Sequence, residues 1–226
     1  MVPEMESEAA GPSRKLPRLM LVTDRRRTRR RELAALVEQA VAGGVGIVQL
    51  REKDLADDEL RGLLDGIRKR LPREVLLVVN GSTRVARTMG TGLHLGAGLP
   101  FPAGPADGSR SDYALFGRSA HDIQESRDAL RDDPSYLIVG TIFPTESKPG
   151  HPGSGPALVR SVARVAGPVP LYAIGGVGVS AVPELIRAGA HGVAVCGAIL
   201  SANDPRRVAE ALSLALEVSS RAATNG

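Results

Sequence analysis

The sequence predicts an α/β protein folded as a single (β/α)8 TIM barrel, and three observations predict it. The chain has 226 residues, 42% of them hydrophobic, a length that α/β barrels routinely use for one domain. Short, near-continuous apolar runs alternate with amphipathic stretches, the pattern of parallel strands buried on both faces and joined by helical crossovers. The runs number eight, which favours a closed barrel over an open doubly wound sheet.

Taken in order, residues 1–16 mix Gly, Pro, Ser, Glu and Met without periodicity and are expected to form a disordered N-terminal tail. The barrel domain is expected over 17–220, with a flexible C-terminus at 221–226. Strands are expected at 19–23, 47–50, 75–79, 92–95, 114–117, 136–140, 171–174 and 192–195. Helical patterns cover 32–42, 57–71, 83–89, 123–130, 157–165, 180–188 and 205–218. Glycines 43, 90 and 189 supply stop signals, and Asp122, Ser180 and Asp204 stand where N-caps belong. The Gly/Pro-rich gap at 96–112 shows no clear helix.

Composition narrows the function. Cys196 is the single cysteine, so neither an intramolecular disulfide nor a thiolate zinc site is available. No long apolar run or signal-peptide pattern occurs, and the expectation is a cytoplasmic protein without a membrane partner. The formal charge is +4. Residues 1–31 hold nine basic and four acidic side chains, a local +5, so the remainder is −1. The positive excess is therefore confined to one segment, and with only three Tyr, three Phe and no Trp a nucleic-acid partner is not expected. Only four lysines occur, at 15, 53, 69 and 148.

Barrel active sites lie at strand C-termini, and polar residues collect there. Gln49, Arg51 and Lys53 alternate and so share one side of the second strand, where two cations and an amide suit a phosphate or carboxylate; a rim salt bridge to the acids of 54–59 is the structural alternative. Gly175–Gly176 and Cys196–Gly197 follow the last two strands, the usual phosphate cradle of such barrels, although glycines at these turns are also ordinary. The 141–151 loop brings Thr145, Ser147 and Lys148 together and reads either as a lid or as a plain surface loop. His121, after the fifth strand, can shuttle a proton or simply cap a helix. His94 alternates inside an apolar strand and reads as a satisfied core histidine. The 25–31 arginine run reads as a solvated loop face, with electrostatic steering of phosphorylated ligands the alternative, and Cys196 as a small hydrophobe.

The strings Leu21-Val-Thr-Asp24, Gln49-Leu-Arg-Glu-Lys53, Val79-Asn80, Gly92-Leu-His-Leu-Gly96, Gly117-Arg-Ser-Ala-His121, Gly140-Thr-Ile-Phe-Pro-Thr-Glu-Ser-Lys148 and Gly175-Gly-Val177 resemble, in order and spacing, the thiamine phosphate synthase and TenI family. The resemblance implies a TIM barrel handling a small phosphorylated thiazole. In its synthase branch, 49–53, Asn80, Ser119 and Lys148 match contacts to a pyrimidine diphosphate. Thr145 to Ser147, Gly176, Cys196 and Gly197 match contacts to thiazole phosphate. In its TenI branch, which isomerises a thiazole carboxylate phosphate to the aromatic tautomer, His121 matches the proton-transfer histidine.

One departure separates the branches. Synthases hold magnesium with two aspartates, one directly after the strand-three asparagine and one shortly after the His-Leu-Gly of strand four. Here those places hold Gly81 and about Leu99, and 75–106 contains no Asp or Glu, whereas magnesium prefers carboxylate oxygens. The expectation drawn is a metal-independent thiazole tautomerase with no cofactor and His121 as its acid–base. The alternatives are a thiamine phosphate synthase, which alone would call for magnesium, and a non-catalytic thiazole-phosphate binder. Oligomeric state is left open, a homo-oligomer included.

Overall fold

The computed structural model describes residues 16–101 and 109–224. Its strands are β1 (Leu19–Val22), β2 (Ile47–Leu50), β3 (Leu76–Asn80), β4 (Gly92–Leu95), β5 (Phe116–Ala120), β6 (Tyr136–Val139), β7 (Leu171–Ile174) and β8 (Gly192–Val195). Each pairs in parallel with the next, and β8 closes on β1 through Leu19↔Val193 and Leu21↔Val195, giving an eight-stranded closed barrel. The helices are α1 (Leu33–Ala42), α2 (Asp57–Arg68), α3 (Thr83–Thr88), α4 (Ile123–Leu130), α5 (Gly155–Ala166), α6 (Val182–Arg187), α7 (Gly197–Leu200) and α8 (Pro205–Thr224). Among the described residues no helix is long and apolar enough to cross a membrane.

Strand alternation divides the core. Met20, Val22, Ile47, Val78, Tyr136, Ile138 and Tyr172 point into the barrel. Their neighbours, among them Leu19, Leu21, Val48, Leu50 and Val79, pack outward under the helices. Helix α2 shows why the crossovers form. Leu60, Leu64 and Ile67 recur on one buried face, while Asp57, Asp58 and Glu59 in the first turn and Arg68 in the last complement the helix dipole. Asp122 caps α4 by accepting from the Glu125 amide at 2.7 Å, and Asp204 caps α8 by accepting from the Arg207 amide at 3.0 Å.

The barrel axis holds a column of rings. His191 meets Tyr172 with centroids 5.5 Å apart, Tyr172 meets Tyr136 at 5.6 Å, and Tyr136 meets His94 at 5.6 Å. Gly117 makes the column possible, because a Cβ there would stand 2.1 Å from the Tyr136 ring. Gly117→Ala is therefore expected to destabilise the fold by about 1–3 kcal/mol, the usual cost of overpacking. A denaturant midpoint unchanged from wild type would refute this.

Four strands lie where the sequence places them, and β5 lies two residues later than expected. Arg118 and Ser119 pair with Leu137 and Ile138, so polar residues occupy a strand position that an apolar criterion passes over. Ser180 is not an N-cap: it sits within a 3-10 turn, Val179–Ala181, that precedes α6. Helix α8 continues through Thr224, beyond residue 221 where a flexible end is expected. Residues 1–15 of the expected tail, and 102–108 of the expected gap, lie outside the described residues.

Candidate active site

The mouth is built from the residues that follow the strands. Gln49 is buried at the end of β2 and its amide Nε2 donates to Asn80 Oδ1 across the neighbouring strand at 3.2 Å. Past β2 the Arg51 amide donates to Thr23 Oγ1 at 3.0 Å, which continues the strand direction. Alternation then sends Glu52 the other way, where its buried carboxylate accepts from the Arg25 amide at 3.1 Å.

The arginine run is only in part the solvated face expected of it: Arg26, Arg29 and Arg30 are exposed, while Arg25, Arg27 and Arg31 are half-buried against partners. Residues Arg25–Arg27 form a 3-10 turn capped by Asp24, and at three residues per turn Arg25 and Arg26 reach one partner while Arg27 reaches another. Arg25 holds Asp54 through two bonds of 2.7 and 2.8 Å, and Arg26 adds a third at 3.0 Å. Those bonds, Arg25's first, hold the Asp54 carboxyl down to about 2. Arg27 reaches Glu146, and Arg31 donates to the Leu200 carbonyl at 2.8 Å.

This sorting bears on the rim salt bridge considered for Arg51 and Lys53. Every acid at 54–59 is engaged elsewhere: Asp54 by Arg25 and Arg26, Asp57 by Ser82 and Arg84, Asp58 by Arg61, and Glu59 by the Ala56 amide. Among the described residues no carboxylate lies within ion-pair distance of Arg51, Lys53 or Lys148. The three cations face one another instead. The Arg51 guanidinium, then partial burial, then Lys148 hold the Lys53 ammonium below its usual value. A group of unpaired cations is a standing attraction for a polyanion.

The remaining expected residues fall into place around them. His94 is a core histidine as expected, with Nδ1 at 3.2 Å from the Tyr136 hydroxyl and Nε2 at 2.8 Å from Ser119 Oγ. Burial first, with Arg118 and Arg51 adding to it, drives its pKa down to about 3, so the ring is neutral and fixes the Ser119 hydroxyl. His121 is exposed. Its Nδ1 and its amide both engage Glu125 in the first turn of α4, at 2.9 and 2.7 Å.

The loop after β6 is tied down at its base: the Ile142 and Phe143 amides donate to the Ile174 and Gly175 carbonyls, both at 2.9 Å. Thr145, Glu146, Ser147 and Lys148 form a turn, with the Lys148 amide donating to the Thr145 carbonyl at 3.1 Å. Gly175 and Gly176 have φ of 99° and 63°, and a Cβ at Gly176 would stand 2.4 Å from the Pro144 carbonyl oxygen. These glycines thus let the β6 and β7 loops lie against each other. The Cys196 thiol is pushed up to about 12, chiefly by burial and then by Asp24, so it is neutral at physiological pH and only its backbone is of use to a ligand.

A cleft of about 620 Å³ opens between the loops after β2 and β3, lined by Lys53, Asn80, Gly81 and Arg84. Another, of about 640 Å³, lies at the opposite end of the barrel, lined by Leu71, Leu76 and Leu115 together with Arg68 and Arg73; none of the expected site residues lines it. The family resemblance implies magnesium at the mouth, and the residues present do not fit that ion. Nothing lies within 4 Å of a Cβ built on Gly81, and Leu99 is 52% exposed, so both positions have room for an acid that the chain does not supply. Two carboxylates line the cleft: Asp57 has one oxygen on Ser82 and the other on Arg84, and Glu52 is held by Arg25. Among the described residues no cluster of three or more His, Cys, Asp or Glu is placed to hold a metal.

Sequence reasoning did not single out Arg27, hidden among seven nearly consecutive basic and polar residues, nor the bond from His94 to Ser119. The second was within reach, since β4 and β5 are neighbours and both residues point inward.

Comparison with known proteins places these features in a group. The family model described as thiamine monophosphate synthase (TMP-TENI) matches residues 19–199. A thiamine-phosphate synthase of Mycolicibacterium smegmatis is 36% identical, over 94% of this chain and 98% of its own length. That of Mycobacterium tuberculosis is 38% identical over 88% of this chain and 94% of its own. Among solved structures, a thiamine phosphate pyrophosphorylase of Pyrococcus furiosus superposes with a TM-score of 0.76 at 25% identity, covering 91% of this chain and 98% of that one. These relatives carry the name of the synthase rather than of the tautomerase.

Proposed function

This chain belongs to the thiamine monophosphate synthase family, and so to thiamine biosynthesis, and from that premise we propose that it joins a hydroxymethylpyrimidine diphosphate to a thiazole phosphate. The observation that carries the reading is the group of unpaired cations, Arg51, Lys53 and Lys148. A diphosphate brings several negative charges and needs several counter-charges. A thiazole carboxylate phosphate, once its phosphate is seated at the β7 and β8 loops, leaves a single carboxylate for the same three cations.

In the reaction the bond from the pyrimidine methylene carbon to diphosphate breaks and its electron pair leaves with the diphosphate. The thiazole nitrogen lone pair forms the new carbon–nitrogen bond. Negative charge grows on the departing group, where fixed cations stabilise the transition state more than the ground state. Gln49 and Asn80 offer amide groups to the pyrimidine, and Ser119, fixed by neutral His94, a hydroxyl. The loops carrying Thr145, Ser147, Gly176 and Gly197 hold the thiazole phosphate. Since no carboxylate pair among the described residues fits a magnesium ion, the charge of the leaving group rests on side chains in this reading.

The tautomerase remains a second reading because one observation favours it: the carboxylate-free stretch 75–106, joined by an exposed histidine, His121, paired with Glu125. A paired assay decides. Purified protein is expected to form thiamine phosphate from the two substrates with magnesium, and to retain turnover in EDTA. No thiamine phosphate under either condition, together with aromatisation of thiazole carboxylate phosphate that is lost in His121→Ala, would establish the tautomerase in its place.

A further inference from the structure

Of the three arginines in the 3-10 turn, Arg27 has the least exposed side chain. Its side chain is 16% exposed, and Nη1 donates to Glu146 Oε2 at 3.1 Å. Nε lies 3.5 Å from Asp24 Oδ2, yet is buried without a hydrogen-bond partner. In the closed barrel, β7 and β8 lie between β6 and β1. A bridge from the loop after β1 to the loop after β6 therefore runs over the ends of β7 and β8. Its path is confirmed at Gly197, where a Cβ would stand 3.4 Å from Arg27 Nη1, and at Ser201, whose Oγ donates to the Arg27 carbonyl at 3.1 Å.

The two partners of the bridge differ. Arg27 is fixed by its surroundings, while the Glu146 side chain is 91% exposed, and an ion pair with so exposed a carboxylate is held weakly. A phosphate at the β7 and β8 loops offers the same guanidinium a doubly charged acceptor that can be bound bidentately. We propose that Arg27 is a phosphate-binding residue of this site, and that Glu146 occupies its guanidinium until the thiazole phosphate displaces it. The inference rests on the placement of the thiazole phosphate given above.

The test uses the full chain and two probes, thiazole phosphate in turnover and inorganic phosphate in equilibrium binding. Losing a charge-assisted contact, Arg27→Gln is expected to raise KM for thiazole phosphate by about 10- to 100-fold. The KM for pyrimidine diphosphate and the kcat at saturation should stay within about twofold, and Arg27→Lys should fall between. Glu146→Gln removes the competitor and is expected to tighten inorganic phosphate binding by about two- to fivefold. An unchanged thiazole phosphate KM in folded Arg27→Gln, or equal increases for both substrates, would overturn the proposal. Should that variant not fold, weaker or unaltered phosphate binding by Glu146→Gln would do so. If the wild-type chain binds no thiazole phosphate, the functional reading itself fails; if it binds and Arg27 does not matter, only this inference does.

Discussion

Lys53→Met is expected to lower kcat/KM for the pyrimidine diphosphate about 100-fold while leaving KM for thiazole phosphate within about twofold. Each contact between a cation and a phosphate oxygen contributes about 1.5–3 kcal/mol, or roughly ten- to a hundredfold. Lys53 belongs near the upper end because it has no carboxylate neighbour to share it. Arg51 and Lys148 already disfavour its charge, so the ligand is the group that relieves the repulsion. The wild-type rate should also fall with added salt, since exposed charges are screened over about 8–10 Å at ordinary ionic strength, and this dependence should be shallower in Lys53→Met. Steady-state kinetics at two salt concentrations with each substrate varied in turn provide the measurement. Equal losses for both substrates, or none, would remove the assignment of a diphosphate to these cations.

Acid is expected to weaken the fold through His94. Its pKa in the folded state is about 3, against an ordinary value of 6.5. The unfolded chain therefore binds the extra proton across that interval and the folded chain does not. Stability from the neutral ring is complete above pH 6.5 and is lost as pH falls towards 3, by about 1.4 kcal/mol per pH unit. Urea unfolding at pH 7, 5.5 and 4.5 should show a smaller decline in His94→Asn than in the wild type, because the carboxylates titrating in the same range are common to both chains. Parallel declines would mean that the buried ring is not the source.

The two residues behind these expectations differ in how far the sequence discloses them. His94 is legible: a histidine alternating with leucines in a four-residue strand must point inward, and inward means buried. Lys53 is legible in position but not in state, because whether it meets Asp54 depends on Arg25 and Arg26, which arrive from a different strand. The arginine run is read only in part from its pattern for the same reason, since Arg26, Arg29 and Arg30 are exposed and the others are not. Consecutive charges look like one solvated face, whereas a short 3-10 turn sends Arg25 to Asp54 and Arg27 to Glu146, and Arg31 beyond it reaches the Leu200 carbonyl. The extension of β5 past residue 117 follows from Arg118 and Ser119, polar residues made acceptable in a strand by a carbonyl at Leu99, a carboxylate at Asp132 and a histidine at 94. None of these partners is near them in the chain. Gly117 has its reason in the Tyr136 ring of the adjacent strand, a contact set by a side-chain rotamer and invisible to any local rule. The missing acids of 75–106, by contrast, are wholly a matter of sequence.

The ring column along the barrel axis has an optical consequence. The chain contains no tryptophan and three tyrosines, and two of these, Tyr136 and Tyr172, meet edge to face in a buried, chiral environment between His191 and His94. Near-ultraviolet circular dichroism therefore reads these two rings together with the buried Tyr113, with no indole to mask them. Because Ser119 at the mouth is hydrogen-bonded to the upper end of that column, the tyrosine signal is an unlabelled reporter of what enters the site.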